Sequence, residues 1–306
     1  MILRGQFSHF FMTTMLPALN HIIKDEWGRV PSQYSQIFRE EGSTRSIEQV
    51  SGVSGVGLYT ELGEGEGVHW DDPAQGYPKT FTHTRFGLGI KVSRDTIEDD
   101  KIGLVARNAR ALARSGRETL EIDVAATFNN AFSNAHLGPD GVCLCSASHQ
   151  LYKAGGVQSN ILSVAADLDH SSLEMALTAY ETLVDDTGLN VRLSLPRIVV
   201  APANRWNVHE ILKSQMRSDT ANNTTNAFAY TEGGMPVPIV WRYLTDDDAW
   251  FLVAPPEETE LIIFWRRKPY NRSWIDEDTE TGKIARRYKK SHGWAHYMGV
   301  YGTPGA

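Results

Sequence analysis

The sequence predicts an α+β chain: one very long helix, a glycine-rich ribbon before it and a smaller α/β unit after it. Three patterns carry that expectation. Across residues 94–132, apolar or small residues recur at helical spacing at Val105, Ala109, Leu112, Gly116, Leu120, Val124, Phe128 and Ala131, while Arg107, Arg110, Arg114, Arg117 and Glu121 hold a second, polar stripe. Read as one helix, this stretch is roughly 58 Å long at 1.5 Å per residue, far beyond the usual three or four turns. Residues 50–72 are studded with glycine (Gly52, Gly55, Gly57, Gly63, Gly65, Gly67) and lead to a clean alternation at Phe86, Leu88, Ile90 and Val92. From Ser171 onward, short helical and extended patterns alternate.

The chain has 306 residues, 41% of them hydrophobic and 22% charged, with a net charge of −7, which describes a globular chain long enough for two packed regions. No run approaches the ~20 apolar residues of a membrane span, and residues 7–19 are too short and too interrupted for one. The start lacks a charged leader with a small-residue cleavage site, so a reducing cytoplasm is the expected setting, which two cysteines close together in sequence, Cys143 and Cys145, also fit. The acidic balance argues against a dedicated nucleic-acid binder.

In order along the chain, residues 1–49 read as an N-terminal arm. Residues 50–92 read as a long two-stranded ribbon, marginal by itself in water and therefore an arm that rests on another sheet or subunit. Asp95 and Glu98 form a capping box for the long helix, with Asp99 and Asp100 adding favourable charge to its first turn. A Gly/Pro-rich loop (Gly138, Pro139, Gly141, Gly155, Gly156) follows. Ser171 and Glu174 then cap a helix with Leu173, Leu177, Tyr180 and Val184 inward and Gly188 as its stop. A strand over 195–201 precedes a helix opened by Pro202 and Asn204, with Trp206, Ile211 and Leu212 inward. A polar loop spans 218–226. Apolar runs at 237–241, 249–253 and 261–265, the first two joined by a turn at 245–248, complete a small mixed sheet. Residues 283–301 mix Arg286, Arg287, Lys289 and Lys290 with aromatic residues and return as strands to the first region.

Few constellations suggest chemistry. Cys143 and Cys145 with His136 and His149 could supply four zinc ligands to a metal-dependent enzyme, but Cys-x-Cys departs from the usual knuckle spacing, and burial as small side chains is the preferred reading. His292 and His296 are four apart, as on a helix face, without the adjacent glutamate of a zinc protease. Gly52, Gly55 and Gly57 precede no capped helix or Lys-Ser/Thr, so they provide bends and not a phosphate loop. No reaction, catalytic residue, metal or cofactor is assigned. The arginine stripe at positions 107, 110, 114 and 117 is either solvated or paired with a neighbouring subunit.

The order of parts resembles the major capsid proteins of tailed bacteriophages, the Hong Kong 97 type of fold, and most closely their Mu-like head-subunit branch. The residues that carry the resemblance are Phe86-Gly87-Leu88-Gly89-Ile90-Lys91-Val92-Ser93-Arg94, Asp140-Gly141-Val142-Cys143-Leu144-Cys145 with Ser148-His149, Gln158-Ser159-Asn160, Pro196-Arg197-Ile198-Val199-Val200-Ala201-Pro202, Thr220-Ala221-Asn222-Asn223 with Asn226, and Asp248-Ala249-Trp250-Phe251-Leu252. It runs from about Val50 to the C-terminus. The resemblance implies an arm (1–49), an extended loop (50–92), a peripheral domain (93–158) with a spine helix (94–132), an axial domain (159–265) and a return to the peripheral domain (266–306). It further implies self-assembly as hexamers and pentamers into an icosahedral head around double-stranded DNA in the host cytoplasm, with a portal and a separate scaffolding or decoration protein as partners and no membrane. An encapsulin-like nanocompartment shares the fold and is the nearest rival. Intersubunit contact candidates are Lys79, Phe86, Leu88, Ile90, Arg107, Arg110, Arg114 and Arg117. One member of the family welds its subunits through a Lys–Asn isopeptide bond, and Lys79 lies in the ribbon, the place of such a lysine. No asparagine or activating glutamate matches here, so that chemistry is not carried over.

Overall fold

The computed structural model describes residues 8–29, 31–99, 102–217, 225–230, 235–276 and 278–306. A π-helical turn, Phe11–Met15, runs into α1 (Leu16–Arg29). Then come β1 (Arg39–Gly42), β2 (Ile47–Val53), β3 (Gln75–Thr82) and β4 (Thr84–Ser93), followed by α2 (Arg94–Glu98) and α3 (Ile102–Asn129). The second half contains β5 (His149–Gln150), β6 (Val157–Gln158), α4 (His170–Glu181), β7 (Arg197–Val200), α5 (Arg205–Lys213), β8 (Val237–Val240) and β9 (Trp250–Val253). It closes with β10 (Leu261–Asp276), β11 (Thr281–Trp294) and β12 (Val300–Thr303).

The spine is shorter than expected and interrupted. Its main part, α3, has 28 residues and is preceded by the separate single turn and a half of α2. The cap of α2 is Ser93, whose side chain accepts from the Thr96 N–H, two residues before the expected cap Asp95. Asp99 is the C-cap of α2, where a carboxylate opposes the helix dipole and favours a stop. Asp100 lies outside the described residues. At the other end the helix stops after Asn129, whose side chain serves a distant loop, donating to the Tyr243 carbonyl and accepting from the Thr245 N–H. The apolar stripe is nevertheless buried along its length: Val105, Ala109, Leu112, Leu120, Val124, Phe128 and Ala131 are all 3% exposed or less.

Residues 11–23 belong to that stripe. Phe11, Met15, Leu19 and Ile23 repeat at helical spacing and bury against Ile97, Val105, Ala109 and Leu112 of the same chain. The approach is close. A Cβ at Gly116 would come 3.0 Å from the Trp27 ring, and one at Gly282 would collide with the Phe11 ring. Trp27 is further held between the guanidinium groups of Arg286, 4.2 Å from the ring centre, and Arg117, at 5.6 Å. The helical part of the N-terminal arm is thus part of the subunit's own core.

Two four-stranded sheets organise the rest, in the orders β1-β10-β11-β4 and β12-β9-β7-β8. The alternating strand β4 pairs with β11 along its whole length, Phe86 opposite Tyr288 and Ile90 opposite Ile284, and is not part of the ribbon. The ribbon is β2 with β3, joined by the glycine-rich loop. The long β10–β11 hairpin changes register twice between Trp265 and Tyr270, around Pro269, which has no N–H to give a ladder. The segment 261–265, expected in the second sheet, starts β10 instead, and its place is taken by the C-terminal strand β12.

The second sheet is mixed, with β7 parallel to β8 and antiparallel to β9. It is buried on both faces. Ile198, Val200, Trp250 and Leu252 face α4 and α5, while Val199, Phe251 and Val253 face the spine residues Leu120, Val124 and Phe128. Helix α4 is capped by Asp169 with Ser172, two residues earlier than Ser171 and Glu174 would place it, and ends at Glu181, so Val184 lies beyond it. Leu173 and Tyr180 are buried as expected. In α5, Ile211 and Leu212 point inward but Trp206 is 77% exposed. The polar 218–226 loop and the Thr220–Asn223 motif lie largely or wholly outside the described residues.

Candidate assembly surfaces

The loop between β2 and β3 carries the least covered apolar surface of the described chain. Leu58 is 77% exposed, Val68 65%, Trp70 88%, and Tyr59 fully exposed. Isolated exposed apolar residues need no explanation, but several large ones left uncovered on one loop point to a contact surface. Sequence reading picked out the glycines here and not these side chains. The available signal was the presence of large apolar residues among glycines and glutamates with no periodicity that could bury them. The base of the loop is fixed, since Asp71 pairs with Lys153 at 2.8 Å and accepts from the Gly57 N–H. That contact holds the Asp71 carboxyl below its ordinary range.

The contact candidates fall into three groups. Lys79, Phe86, Ile90, Arg114 and Arg117 are engaged within the subunit. Lys79 donates to the Leu137 carbonyl at 2.8 Å and stands over the Trp294 ring, and burial lowers its ammonium pKa. Phe86 stacks on Tyr288 at 5.2 Å, Ile90 packs against the α1–α3 core, and Arg114 pairs with Glu26 at 2.9 Å. Leu88 is 55% exposed. Arg107 and Arg110 face solvent.

Glu121, expected on the wet stripe, is buried. Its carboxylate accepts from the backbone N–H groups of Gln33 and Tyr34 at 2.9 and 3.3 Å and from Trp241 Nε1 at 3.1 Å. Burial raises its pKa against the opposing effect of these donors. This one side chain ties the spine to the end of the arm and to the second sheet.

A second polar cluster joins spine and sheet. The Lys290 ammonium, wholly buried, lies 2.6 Å from Asp123 of α3 and 3.2 Å from His292 Nδ1. His292 stands on strand β11 and His296 after it, next to Asp186, so the two do not share a helix face. Burial and the Lys290 charge push His292 down to about 4. The folded state therefore binds a proton less readily than the unfolded chain. Stability is expected to fall as pH drops from about 6.5 towards 4, by up to about 1.4 kcal/mol per pH unit. Denaturation at a series of pH values should show this slope, and His292→Gln should flatten it. An unchanged slope would assign the acid sensitivity to other groups.

The zinc arrangement does not form. Both nitrogens of His149 are occupied, Nδ1 at 2.5 Å from Asp140 and Nε2 at 3.1 Å from Asn160 Oδ1, and the ring stacks on Tyr297. His136 is exposed. Cys143 donates to the Cys145 carbonyl, and burial raises both thiols, Cys145 strongly. Among the described residues no group of three or more His, Cys, Asp and Glu side chains could hold a metal ion. Replacing both cysteines with alanine is expected to cost about 1–3 kcal/mol by denaturation, from lost packing. One equivalent of zinc per unmodified chain, missing from the variant, would contradict this.

The described helices and sheets enclose buried cores, while the loop between β2 and β3 leaves large apolar side chains uncovered. The chain belongs to the phage capsid protein family, whose profile matches residues 76–302. No curated protein matches it. Among solved structures it is similar to the procapsid subunit of bacteriophage JBD30, at 15% identity over 96% of this chain and 74% of that one, with a TM-score of 0.53. It is also similar to Mycobacterium phage Adephagia, at 11% identity over 90% of both chains and a TM-score of 0.54. The cyanophage Pam1 capsid gives 11% identity over 89% and 90%, with a TM-score of 0.52. At such identities the likeness is one of fold, the Hong Kong 97 type. The protein is a major capsid protein and a component of the virion.

Proposed function

We propose that the chain is the repeating subunit of an icosahedral phage head, gathered as hexamers and pentamers around packaged double-stranded DNA. It assembles in the host cytoplasm with a portal and separate scaffolding or decoration proteins. In this reading 1–49 is the arm, 50–83 the extended loop, 84–158 and 261–306 the peripheral domain, because β4 and the whole of β10 lie in the first sheet, and 159–260 the axial domain, to which strand β12 adds its edge. The observation that carries it is the group of large apolar side chains left uncovered on the loop between β2 and β3, Leu58, Tyr59, Val68 and Trp70. An overall charge of −7 suits a container from which the genome must later leave, because tight phosphate binding would hold it back.

Electron microscopy of the purified protein tests the proposal. Closed shells of uniform size are expected, whereas a monodisperse monomer at high concentration would refute it, and shells that hold enzyme cargo in place of DNA would favour a nanocompartment. Deleting residues 57–70 and joining the ends by a short turn should leave the circular dichroism and melting temperature close to those of the parent, since these residues form no part of the buried core. Shells should then be lost. A deletion variant that unfolds would place the loop in the subunit's own fold.

A further inference from the structure

The two strands of the ribbon leave the first sheet from its opposite edges, one after β1 and the other before β4, and their roots meet at a single imidazole. His83 is the one residue between β3 and β4. Its Nε2 lies 2.8 Å from the hydroxyl of Ser43, between β1 and β2, and its Nδ1 lies 3.0 Å from the Ser291 hydroxyl of β11. All three residues are 7% exposed. Ser43 is itself fixed to β10, where its N–H donates to the Trp265 carbonyl at 3.0 Å and its carbonyl accepts from Arg266 at 3.4 Å. The hydroxyl hydrogens set the direction of each bond. Ser43 donates to the Glu48 carboxylate at 2.7 Å, with the Arg45 carbonyl at 3.3 Å, so towards His83 it accepts. This assigns the imidazole hydrogen to Nε2 and leaves Nδ1 to accept from Ser291.

A second proton on this ring would go to Nδ1, the atom that accepts from Ser291. Both nitrogens would then donate, the Ser291 hydroxyl would have to turn round, and a cation would stand in a closed site. The charged groups that act on the ring are Glu48 from β2, Lys289 from β11 and Arg266 from β10. Burial, Lys289 and Arg266 hold the imidazole below its ordinary range, against the opposing pull of Glu48. We infer that His83 is a proton-sensitive latch for the ribbon: neutral, it ties both roots to the first sheet, and protonated, it lets them part from it. Phe81, packed on Phe264 at 5.2 Å, holds the same root with no group that titrates. The closed root binds the proton less readily than an open one, so closure is strongest above about pH 6.5 and weakens as pH falls below it. The opening equilibrium should rise there by up to about tenfold per pH unit. Because the ribbon carries the uncovered Leu58, Tyr59 and Trp70, one imidazole sets where a subunit presents that surface. The latch belongs to the single chain and stands apart from the shell reading.

The test uses the full-length protein with spin labels at two exposed positions, Thr80→Cys on the ribbon and Leu104→Cys on the spine, the native thiols Cys143 and Cys145 being buried. One distance between the labels is expected at about pH 7.5. A second should appear below about pH 6.5, its share relative to the first growing by up to about tenfold per pH unit. His83→Gln, whose amide can still donate to Ser43 and accept from Ser291 but cannot take up the proton, should keep the first distance down to about pH 5. His292→Gln should shift as the parent does. An unchanged distance in the parent, the same shift in His83→Gln, or a lost shift in His292→Gln overturns the inference. Should His83→Gln fail to fold, exchange of the histidine C2 hydrogens, read by mass spectrometry on the unmodified chain, measures the His83 titration directly. A midpoint below about 6.5 supports the latch, and one at or above that value overturns it.

Discussion

The Leu120→Asp subunit is expected to unfold, while Arg110→Asp, less than three turns away on the same helix, is expected to remain soluble and folded. Leu120 has no exposed surface and sits where the spine meets both sheets, in one cluster with Phe128, Trp241, Phe251 and Tyr288. Burying a leucine side chain contributes about 1.5–3 kcal/mol, and an unpaired carboxylate in its place adds several more against folding. That sum is comparable with the whole stability of a domain, about 5–15 kcal/mol. The neighbouring Glu121 shows what the aspartate would lack, because a buried carboxylate survives there only with three N–H donors aimed at it. Arg110 faces solvent, where most substitutions stay within about 0.5 kcal/mol. Soluble yield and denaturant midpoints decide the matter. Equal loss from both substitutions would show that burial along the spine does not control folding.

The contrast between these two positions also shows how much of the fold was legible in the sequence. The apolar stripe of the spine could be read because it repeats over seven turns, and a pattern of that length survives the loss of α2 and the early stop at Asn129. Glu121 could not be read. Its donors, Gln33, Tyr34 and Trp241, are separated from it by 88, 87 and 120 residues, and nothing local distinguishes it from the arginines on the same stripe. The same limit explains the ribbon. Phe86, Leu88, Ile90 and Val92 announce a strand but not its partner, which is β11 and not the glycine-rich segment just before it. Strand β1, Arg-Glu-Glu-Gly, carries no apolar alternation at all and owes its conformation to parallel pairing with β10. Of the contact candidates, the sequence identified positions that face outward in a strand or helix pattern, but Lys79 and Arg114 are occupied within the subunit by groups, Leu137 and Glu26, that only the fold brings near.

The largest effect expected from a single polar substitution is at the contact between spine and sheet. Asp123→Asn leaves the Lys290 ammonium buried without its carboxylate, and breaking such a pair from one side costs about 3–5 kcal/mol. Burial already pulls Lys290 below the ordinary lysine range, with Asp123 opposing the shift. Without Asp123 the folded-state pKa falls further, so the folded protein binds that proton less readily than the unfolded chain does. The loss should therefore be greatest near neutral pH and shrink as pH rises towards 10, a range in which His292 is neutral in both states. Lys290→Met in the Asp123→Asn background should recover most of the stability, because an unbranched apolar side chain fills similar space without a charge to desolvate. Denaturation of the three proteins at about pH 7 and pH 10 measures each step. If Asp123→Asn costs under about 1 kcal/mol at pH 7, the pair behaves like an exposed one and the spine is held to the sheet by apolar packing alone.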